Sequence, residues 1–126
     1  MSCENKIHKK GKCFWGPPAW TTLHSIAVTY EPQHAESFKM LITSLLNLLC
    51  CIECRTNLRN NLRALPIDRY LGSNESLFYW TYLLHDKVNR EISKKYNIEK
   101  KSPPYEYVRK YYFDKVNDSG CTNCTL

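Results

Sequence analysis

The chain has 126 residues, enough for one domain with its own core and too few for two. Its formal net charge is +6, 13% of its residues are aromatic and only four are glycine, which favours a compact helical protein over a loop-rich disulfide knot. Residues 1–12 contain no apolar core of a secretory signal, and the longest apolar stretch, LITSLLNLLCCI, is too short and too interrupted to span a bilayer. We therefore expect a soluble protein that does not bind membranes.

The first helix is predicted to begin after Gly16, with Pro17 and Pro18 at positions where a missing N–H costs nothing, and to end before Pro32. Spacings of three and four residues define one apolar face on this helix. Its members are Trp20, Leu23, His24, Ala27 and Tyr30.

Two further helices follow. Residues 34–49 carry a wide apolar stripe and form the second helix, which ends near Cys51. The third helix presents Leu58, Leu62 and Leu65 and stops before Pro66.

After a loop, the longest helix spans about 75–96, with an N-cap at Ser73 or Asn74. A short helix from Tyr105 to about Val116 follows the sequence KKSPP. The predicted fold is all-α, a four-helix bundle with a short fifth helix. We divide the chain into a flexible basic segment (1–12), one domain (13–116) and a mobile tail (117–126).

Seven cysteines without a secretory signal are unusual, because a reducing cytosol does not sustain structural disulfides. Cys51 and Cys54 form a C-x-x-C motif. This motif suits a zinc half-site, a thioredoxin-like dithiol, or a redox-active disulfide that passes electrons to an acceptor. The thioredoxin-like reading requires a βαβ pattern, which is missing from this sequence. A zinc-binding interaction module would need Cys121 and Cys124 as well. Because 66 residues separate Cys54 from Cys121, against roughly 15–20 in ribbon-type sites, zinc remains the alternative.

The residues around Cys54 support a redox role better than a zinc site. Cys54 falls in the first turn of the third helix, where unsatisfied N–H groups and the helix dipole favour a thiolate. Arg55 and Arg59 add positive charge, while Glu53 opposes it unless its side chain points to solvent.

The lysines form one cluster near the start of the chain and another at 94–101. Such clusters are most often a solvated face, and the next interpretation is a polyanionic ligand, either nucleic acid or a phosphorylated cofactor. Since no nucleic-acid-binding signature is present, we expect no nucleic acid partner.

Two residue pairs at i, i+4 spacing suggest a site for a flat ring: Trp20 with His24, and His85 with Asn89. A single pair of this kind usually contains a core histidine whose hydrogen bonds are satisfied within the protein. Two pairs on facing helices could line a slot for a heteroaromatic group.

The motifs GPPAWTTLH, CIEC, HDKVNREISK and KKSPPY, in this order, resemble the Erv/ALR family of FAD-dependent sulfhydryl oxidases from about Cys13 to Tyr112. The resemblance implies an enzyme that makes disulfides in dithiol-containing protein substrates, a thioredoxin-like carrier being one candidate, by thiol–disulfide exchange. It passes the electrons through FAD to O2, giving hydrogen peroxide. It also implies FAD at the mouth of the bundle and a homodimer formed through the first two helices.

Residue by residue, the resemblance makes Cys51–Cys54 the redox-active disulfide, with Cys54 next to the flavin and Cys51 exchanging with incoming thiols. Cys121 and Cys124 resemble the second cysteine pair that relatives carry on a flexible arm, and are candidate shuttle residues. The positions that match FAD-contacting residues are Gly16, Trp20, His24, Tyr30, His85, Val88, Asn89, Lys94, Lys101 and Tyr105.

The sequence departs from the family at three places. Leu49-Cys50 replaces a Tyr-Pro pair, Asp86 stands where many relatives have asparagine, and the structural disulfide after the long helix is missing. We predict that Cys50 is a buried residue, with a redox role as the alternative. The short chain resembles virus-encoded members that act in the host cytoplasm or virion; a mitochondrial intermembrane-space enzyme is the alternative.

Overall fold

The structure, a computed structural model, describes residues 12–118, with side chains from 14 onward. In this range the chain forms five α-helices and no strand, which confirms the predicted fold class. None of these helices combines the length and the apolar character that crossing a bilayer requires. The helices are α1 (Lys12–Val28), α2 (Ala35–Leu48), α3 (Ile52–Ala64), α4 (Asn74–Tyr96) and α5 (Tyr105–Asn117).

Helix α4 is the centre of the core. It buries Leu77, Phe78, Trp80 and Leu84 completely or almost so, and it packs against α1 and α5. Each such apolar side chain contributes roughly 1.5–3 kcal/mol when it leaves water. The Trp80 indole also meets the edge of Phe38 from α2, with ring centroids 6.2 Å apart. The bundle is thus organised around the helix that was predicted to be the longest.

Several helix ends follow from local sequence. Ser73 is the N-cap of α4, because its Oγ accepts the backbone N–H of Ser76 at 3.1 Å. Asn74, the other candidate, instead donates its Nδ2 to the carbonyl of Val28 at 2.8 Å and so satisfies the last residue of α1. Asn97 ends α4 with φ 51°, a left-handed conformation that asparagine tolerates.

Helix α1 differs from its prediction at both ends. It begins at Lys12, before the prolines, so that Pro17 and Pro18 lie inside the helix. Because both prolines lie beyond the first turn, each removes an i→i−4 hydrogen bond, and its ring crowds the carbonyl four residues earlier. At the other end, Pro32 holds Glu31 extended, and a short 3-10 helix, Pro32–His34, leads into α2. Tyr30 therefore lies beyond the helix.

Candidate active site

The Cys51–Cys54 pair lies at the start of α3. Cys51 is the N-cap residue, and its Sγ accepts the backbone N–H of Cys54 at 3.2 Å. Cys54 lies in the first turn, as predicted, where free N–H groups and the helix dipole favour negative charge on sulfur. Arg55 is anchored beside the pair by donating its Nε to the carbonyl of Leu49 at 2.7 Å. This local geometry suits a dithiol that reacts as a thiolate.

Accessibility differs among the three neighbouring cysteines. Cys50 is exposed, so the prediction that it is buried is wrong. Cys51 is only 4% exposed and Cys54 is partly exposed. The reason is the helix start: Cys51 turns its sulfur back to cap α3, while Cys50 lies in the bend between α2 and α3 and points outward.

Two polar contacts set the position of α3 along α4. Near the dithiol, Glu53 forms an ion pair with Lys95. Two turns further along α3, buried Asn61 donates its Nδ2 to Glu91 Oε1 at 3.0 Å. Because position 53 meets 95 and position 61 meets 91, the two helices run antiparallel. The dithiol therefore lies at the C-terminal end of α4, the end that carries Lys94.

The two predicted ring pairs come together but leave no slot between them. Trp20 and His85 stack directly on each other, with centroids 4.1 Å apart and planes 7° from parallel. His24 lies beneath them, buried to 2% exposure, in contact with the rings of Phe78 and Tyr112. Three members of the two pairs, Trp20, His24 and His85, thus lie together, and a ring inserted between Trp20 and His85 would have to separate a formed stack.

A directional hydrogen-bond chain fixes the tautomers of both histidines. The Thr81 hydroxyl donates to the carbonyl of Phe78 at 2.7 Å, so its oxygen accepts from His24 Nδ1 at 2.9 Å. The second nitrogen of His24, Nε2, must then accept from His85 Nδ1 at 3.2 Å. At the end of this series of hydrogen bonds, His85 Nε2 keeps an unused lone pair, so His85 can accept a further hydrogen bond there.

Both histidines are neutral at physiological pH. Burial, reinforced by the neighbouring His85, lowers the pKa of His24 to about 3. Burial and then the charge of Lys100 lower the pKa of His85 to about 4, against a smaller opposing effect of Asp86. Neutral rings keep the hydrogen-bond chain intact.

A cavity of about 240 Å³ opens beside the histidines, between α4, α5 and residues 102–103. Asn89 lines it at 6% exposure. Its Nδ2 donates to Ser102 Oγ at 2.9 Å, but within residues 14–118 its Oδ1 is a buried oxygen without a hydrogen-bond partner. A buried acceptor of this kind costs about 1–3 kcal/mol. A ligand N–H group would satisfy it.

Residues 98–104 return along the end of α4 and border this cavity. Ser93 holds this return segment by accepting the backbone N–H of Lys100 at 2.9 Å. Tyr82 holds it further along by donating to the carbonyl of Pro103 at 2.6 Å. Ser102 lines both the cavity and a wider basic groove, so the two spaces adjoin. The basic residues of the groove are Arg90, Lys94, Lys100 and Lys101.

The two lysines of the return segment are placed differently. Lys101 is 83% exposed and pairs with Glu99. Lys100 is partly buried, and this burial lowers its pKa. Sequence reasoning missed Lys100, because in an extended segment neighbouring side chains point in opposite directions and the motif does not show which one faces inward. Ser102, Tyr82 and Tyr112, which line the cavity, were missed as well; their only signal was proximity to the named motifs.

Four other predicted positions lie outside the cavity lining. Tyr30 is buried in the core and donates its hydroxyl to the carbonyl of Leu71 at 2.7 Å. Tyr105, whose pKa is raised by burial, packs among the aromatic rings of α4. Val88 is partly buried on α4. A Cβ placed on Gly16 would have no heavy atom within 4 Å, so packing within the described chain does not require glycine there.

The zinc alternative finds no support. Among the side chains of residues 14–118, no group of three or more histidine, cysteine or acidic residues is arranged to hold a metal ion. Cys121 and Cys124, which that hypothesis needs, lie outside the described residues, as do the segments 1–11 and 119–126 of the predicted flexible ends.

Comparison with known proteins identifies the family. The model of the Erv1/Alr family matches residues 17–111. The chain is 32% identical over 85 residues to the FAD-linked sulfhydryl oxidase of an African swine fever virus isolate, covering 64% of this chain and 70% of the relative. The protein of Acanthamoeba polyphaga mimivirus named "Probable FAD-linked sulfhydryl oxidase" is 34% identical over 86 residues, covering 64% of this chain and 60% of the relative. FAD-linked sulfhydryl oxidase ERV1 of Arabidopsis thaliana is 32% identical over 83 residues, covering 63% of this chain and 42% of the relative.

No solved structure matches the chain. The described chain is a helical bundle that carries a dithiol at a helix N-terminus and, between α4 and α5, a cavity lined by two histidines. The chain belongs to the Erv1/Alr family.

Proposed function

We propose that this chain is an FAD-linked sulfhydryl oxidase, an enzyme that converts pairs of thiols into disulfides. The observation that carries the proposal is the Cys51–Cys54 pair, which starts α3 in a chain of the Erv1/Alr family. The relatives named above are FAD-linked sulfhydryl oxidases by name.

The residues around the cavity fit FAD. The unsatisfied Asn89 Oδ1 and the lone pair of His85 Nε2 are acceptors for the N–H groups that both ring systems of FAD carry. The adjoining groove supplies the positive charge that a diphosphate requires, through Arg90, Lys94 and Lys100. Bound FAD supplies the two-electron acceptor and the route to O2, with hydrogen peroxide as the product.

The protein's own part of the reaction is thiol–disulfide exchange. A substrate thiolate attacks the Cys51 sulfur of the Cys51–Cys54 disulfide, the S–S bond breaks, and Cys54 leaves with the electron pair as a thiolate. The second substrate thiolate then attacks the mixed disulfide and releases Cys51, so the substrate has lost two electrons. The start of α3 favours this step because its N–H groups stabilise the departing Cys54 thiolate.

The thiol substrate is a protein, in our proposal. Leu48, which precedes the cysteines, and Ile52, which lies between Cys51 and Cys54, are 72% and 76% exposed and offer an apolar surface for a polypeptide. The burial of Cys51 shows that the sulfur is not open to a bulky partner without movement of the α3 start.

We further propose a homodimer formed through α1 and α2. Phe14, Ile26 and Met40 are apolar side chains that these two helices expose, as an apolar interface would require. The viral relatives support action in the host cytoplasm or virion, and the plant relative keeps the mitochondrial intermembrane space as the alternative.

The function is tested by purifying the full-length chain and recording its absorbance near 450 nm and its oxygen consumption with dithiothreitol. We expect stoichiometric FAD and turnover. Asn89→Ala should lose FAD occupancy together with the thermal stability that bound cofactor adds, about 2.7 kcal/mol at a hundredfold excess over Kd.

Asn60→Ala, at an exposed position on α3, is the matched control and should change neither quantity. A colourless protein without thiol oxidase activity would refute the function. Normal FAD content in Asn89→Ala would refute the assigned cavity while leaving the function standing.

We propose that Cys121 and Cys124 carry electrons from the protein substrate to Cys51. A short arm with a reducible disulfide could reach a sulfur that a folded substrate cannot, at an effective concentration of roughly millimolar. Cys121→Ser/Cys124→Ser should turn over dithiothreitol at a near-normal rate and lose most activity toward a reduced protein. Equal retention of both activities would show that the tail cysteines take no part.

A further inference from the structure

Glu53 lies between the two redox cysteines and is the one acidic residue in the first turn of α3. A carboxylate at a helix N-terminus is favourable for the helix, but its charge opposes a thiolate on the next residue. In this structure the Glu53 carboxylate does not point freely into solvent, because Lys95 of α4 pairs with it.

The contact joins the start of α3 to the end of α4. Asn61, a polar residue, is the one fully buried residue of α3, while Leu58 and Leu62 pack partly buried against the core. Polar links from α3 to α4 include the Asn61–Glu91 hydrogen bond and the Glu53–Lys95 ion pair. Of the two, only the ion pair lies beside the cysteines.

The charged groups around the start of α3 come from both helices. The α3 N-terminus and Arg55 favour a thiolate, Glu53 opposes it, and Lys95 reaches across from α4 to Glu53. Without Lys95 the Glu53 carboxylate would be uncompensated and free to turn toward the sulfur.

We propose that Lys95 is a positioning residue for the dithiol: it holds Glu53 against α4 and cancels its charge, so that Cys54 departs more readily as a thiolate when the disulfide is opened. The inference rests on the proposed function, because it assigns the leaving group of that exchange. In this role Lys95 acts through Glu53 and touches neither substrate nor cofactor.

The size of the effect follows from the exposure of the pair. The Glu53 and Lys95 side chains are 37% and 48% exposed, so solvent screens their interaction. Contributions of exposed pairs correspond to about two- to fivefold in an equilibrium or rate. A change of this size in the thiolate fraction of Cys54 is measurable.

The test uses the full-length protein with its flavin, reduced and kept without oxygen, and follows alkylation of Cys54 by peptide mapping between pH 5 and 9. Lys95→Gln should slow Cys54 alkylation about two- to fivefold at pH 7 and move the midpoint of the pH profile upward. Lys95→Arg should restore both. In a Glu53→Gln background, Lys95→Gln should have no further effect, because no carboxylate is left to release.

Arg109→Gln is the matched control, since it breaks another exposed pair between helices, Arg109–Glu75, away from the cysteines. It should leave the Cys54 profile unchanged. An equal effect of Lys95→Gln with and without Glu53, or no effect at all, would overturn the inference.

Equilibration of the wild type with a glutathione redox buffer separates this failure from failure of the function. If Cys51 and Cys54 form no disulfide there, the proposed function fails. If they do and Lys95→Gln leaves the alkylation profile unchanged, only the role of Lys95 fails.

Discussion

Cys54→Ser is expected to abolish thiol oxidation, with a loss of more than about 100-fold that is set by the detection limit. Cys51→Ser should have the same effect, because a single cysteine cannot form the disulfide that accepts electrons from the substrate. Both variants should still fold and bind FAD, since neither sulfur contributes to the cavity lining. Oxygen consumption with dithiothreitol and flavin absorbance measure the two properties separately.

Cys50→Ser is the matched control within the same segment. Cys50 is exposed and lies next to Cys51, yet it is not at the helix start. We expect near-normal turnover of dithiothreitol in this variant. Loss of activity in Cys50→Ser with activity kept in Cys51→Ser would mean that Cys50 and Cys54 are the redox pair.

The second prediction is that the free energy of unfolding falls between pH 7 and pH 5. His24 and His85 have folded-state pKa values of about 3 and about 4, below the ordinary value of 6.5. Below pH 6.5 the unfolded chain therefore binds more protons than the folded one, and the stability from these groups falls as pH falls. At pH 5 the loss relative to pH 7 is roughly 2 kcal/mol for each histidine.

Urea unfolding of the FAD-free protein at pH 7 and pH 5 measures this loss. The Glu75 carboxylate, whose pKa is lowered by its hydrogen bond to Arg109, loses its contribution only below about 4.5, outside this range. His85→Gln should remove about half of the acid sensitivity, whereas His34→Gln at an exposed position should leave it unchanged. Equal stability of the wild type at both pH values would contradict neutral, buried histidines.

The features that the sequence predicted well are those that neighbouring residues determine. Apolar spacing located the first four helices, and of the two predicted caps of α4, Ser73 and Asn74, the structure uses Ser73. The position of Cys54 in the first turn of α3 followed from the same local reasoning. These features depend on backbone periodicity and on capping, which act within one or two turns.

The features that the sequence did not predict depend on tertiary contacts. Trp20 and His85 are 65 positions apart in the sequence (85 − 20), and only their packing shows that they stack on each other instead of bordering a slot. Tyr30 lies beyond its predicted helix, since α1 ends at Val28, whose carbonyl accepts a hydrogen bond from Asn74 of α4. The inward-facing Lys100 depends on how Ser93 holds the return segment, which no spacing rule encodes.

The lack of buried residues in the first turn of α3 has a consequence for how substrates gain access. Helix α4 contributes six buried residues, whereas in α3 Asn61 is buried and Leu58 and Leu62 pack against the core, all beyond the first turn. Segments with little buried apolar surface open first in local fluctuations that leave the rest of a protein folded. The beginning of α3 should therefore fray while the α1–α4 core stays intact, and each such opening would release the Cys51 sulfur from its capping position. In this view the burial of Cys51 acts as a transient gate: the reactive sulfur is protected most of the time and exposed by a motion of one helix turn.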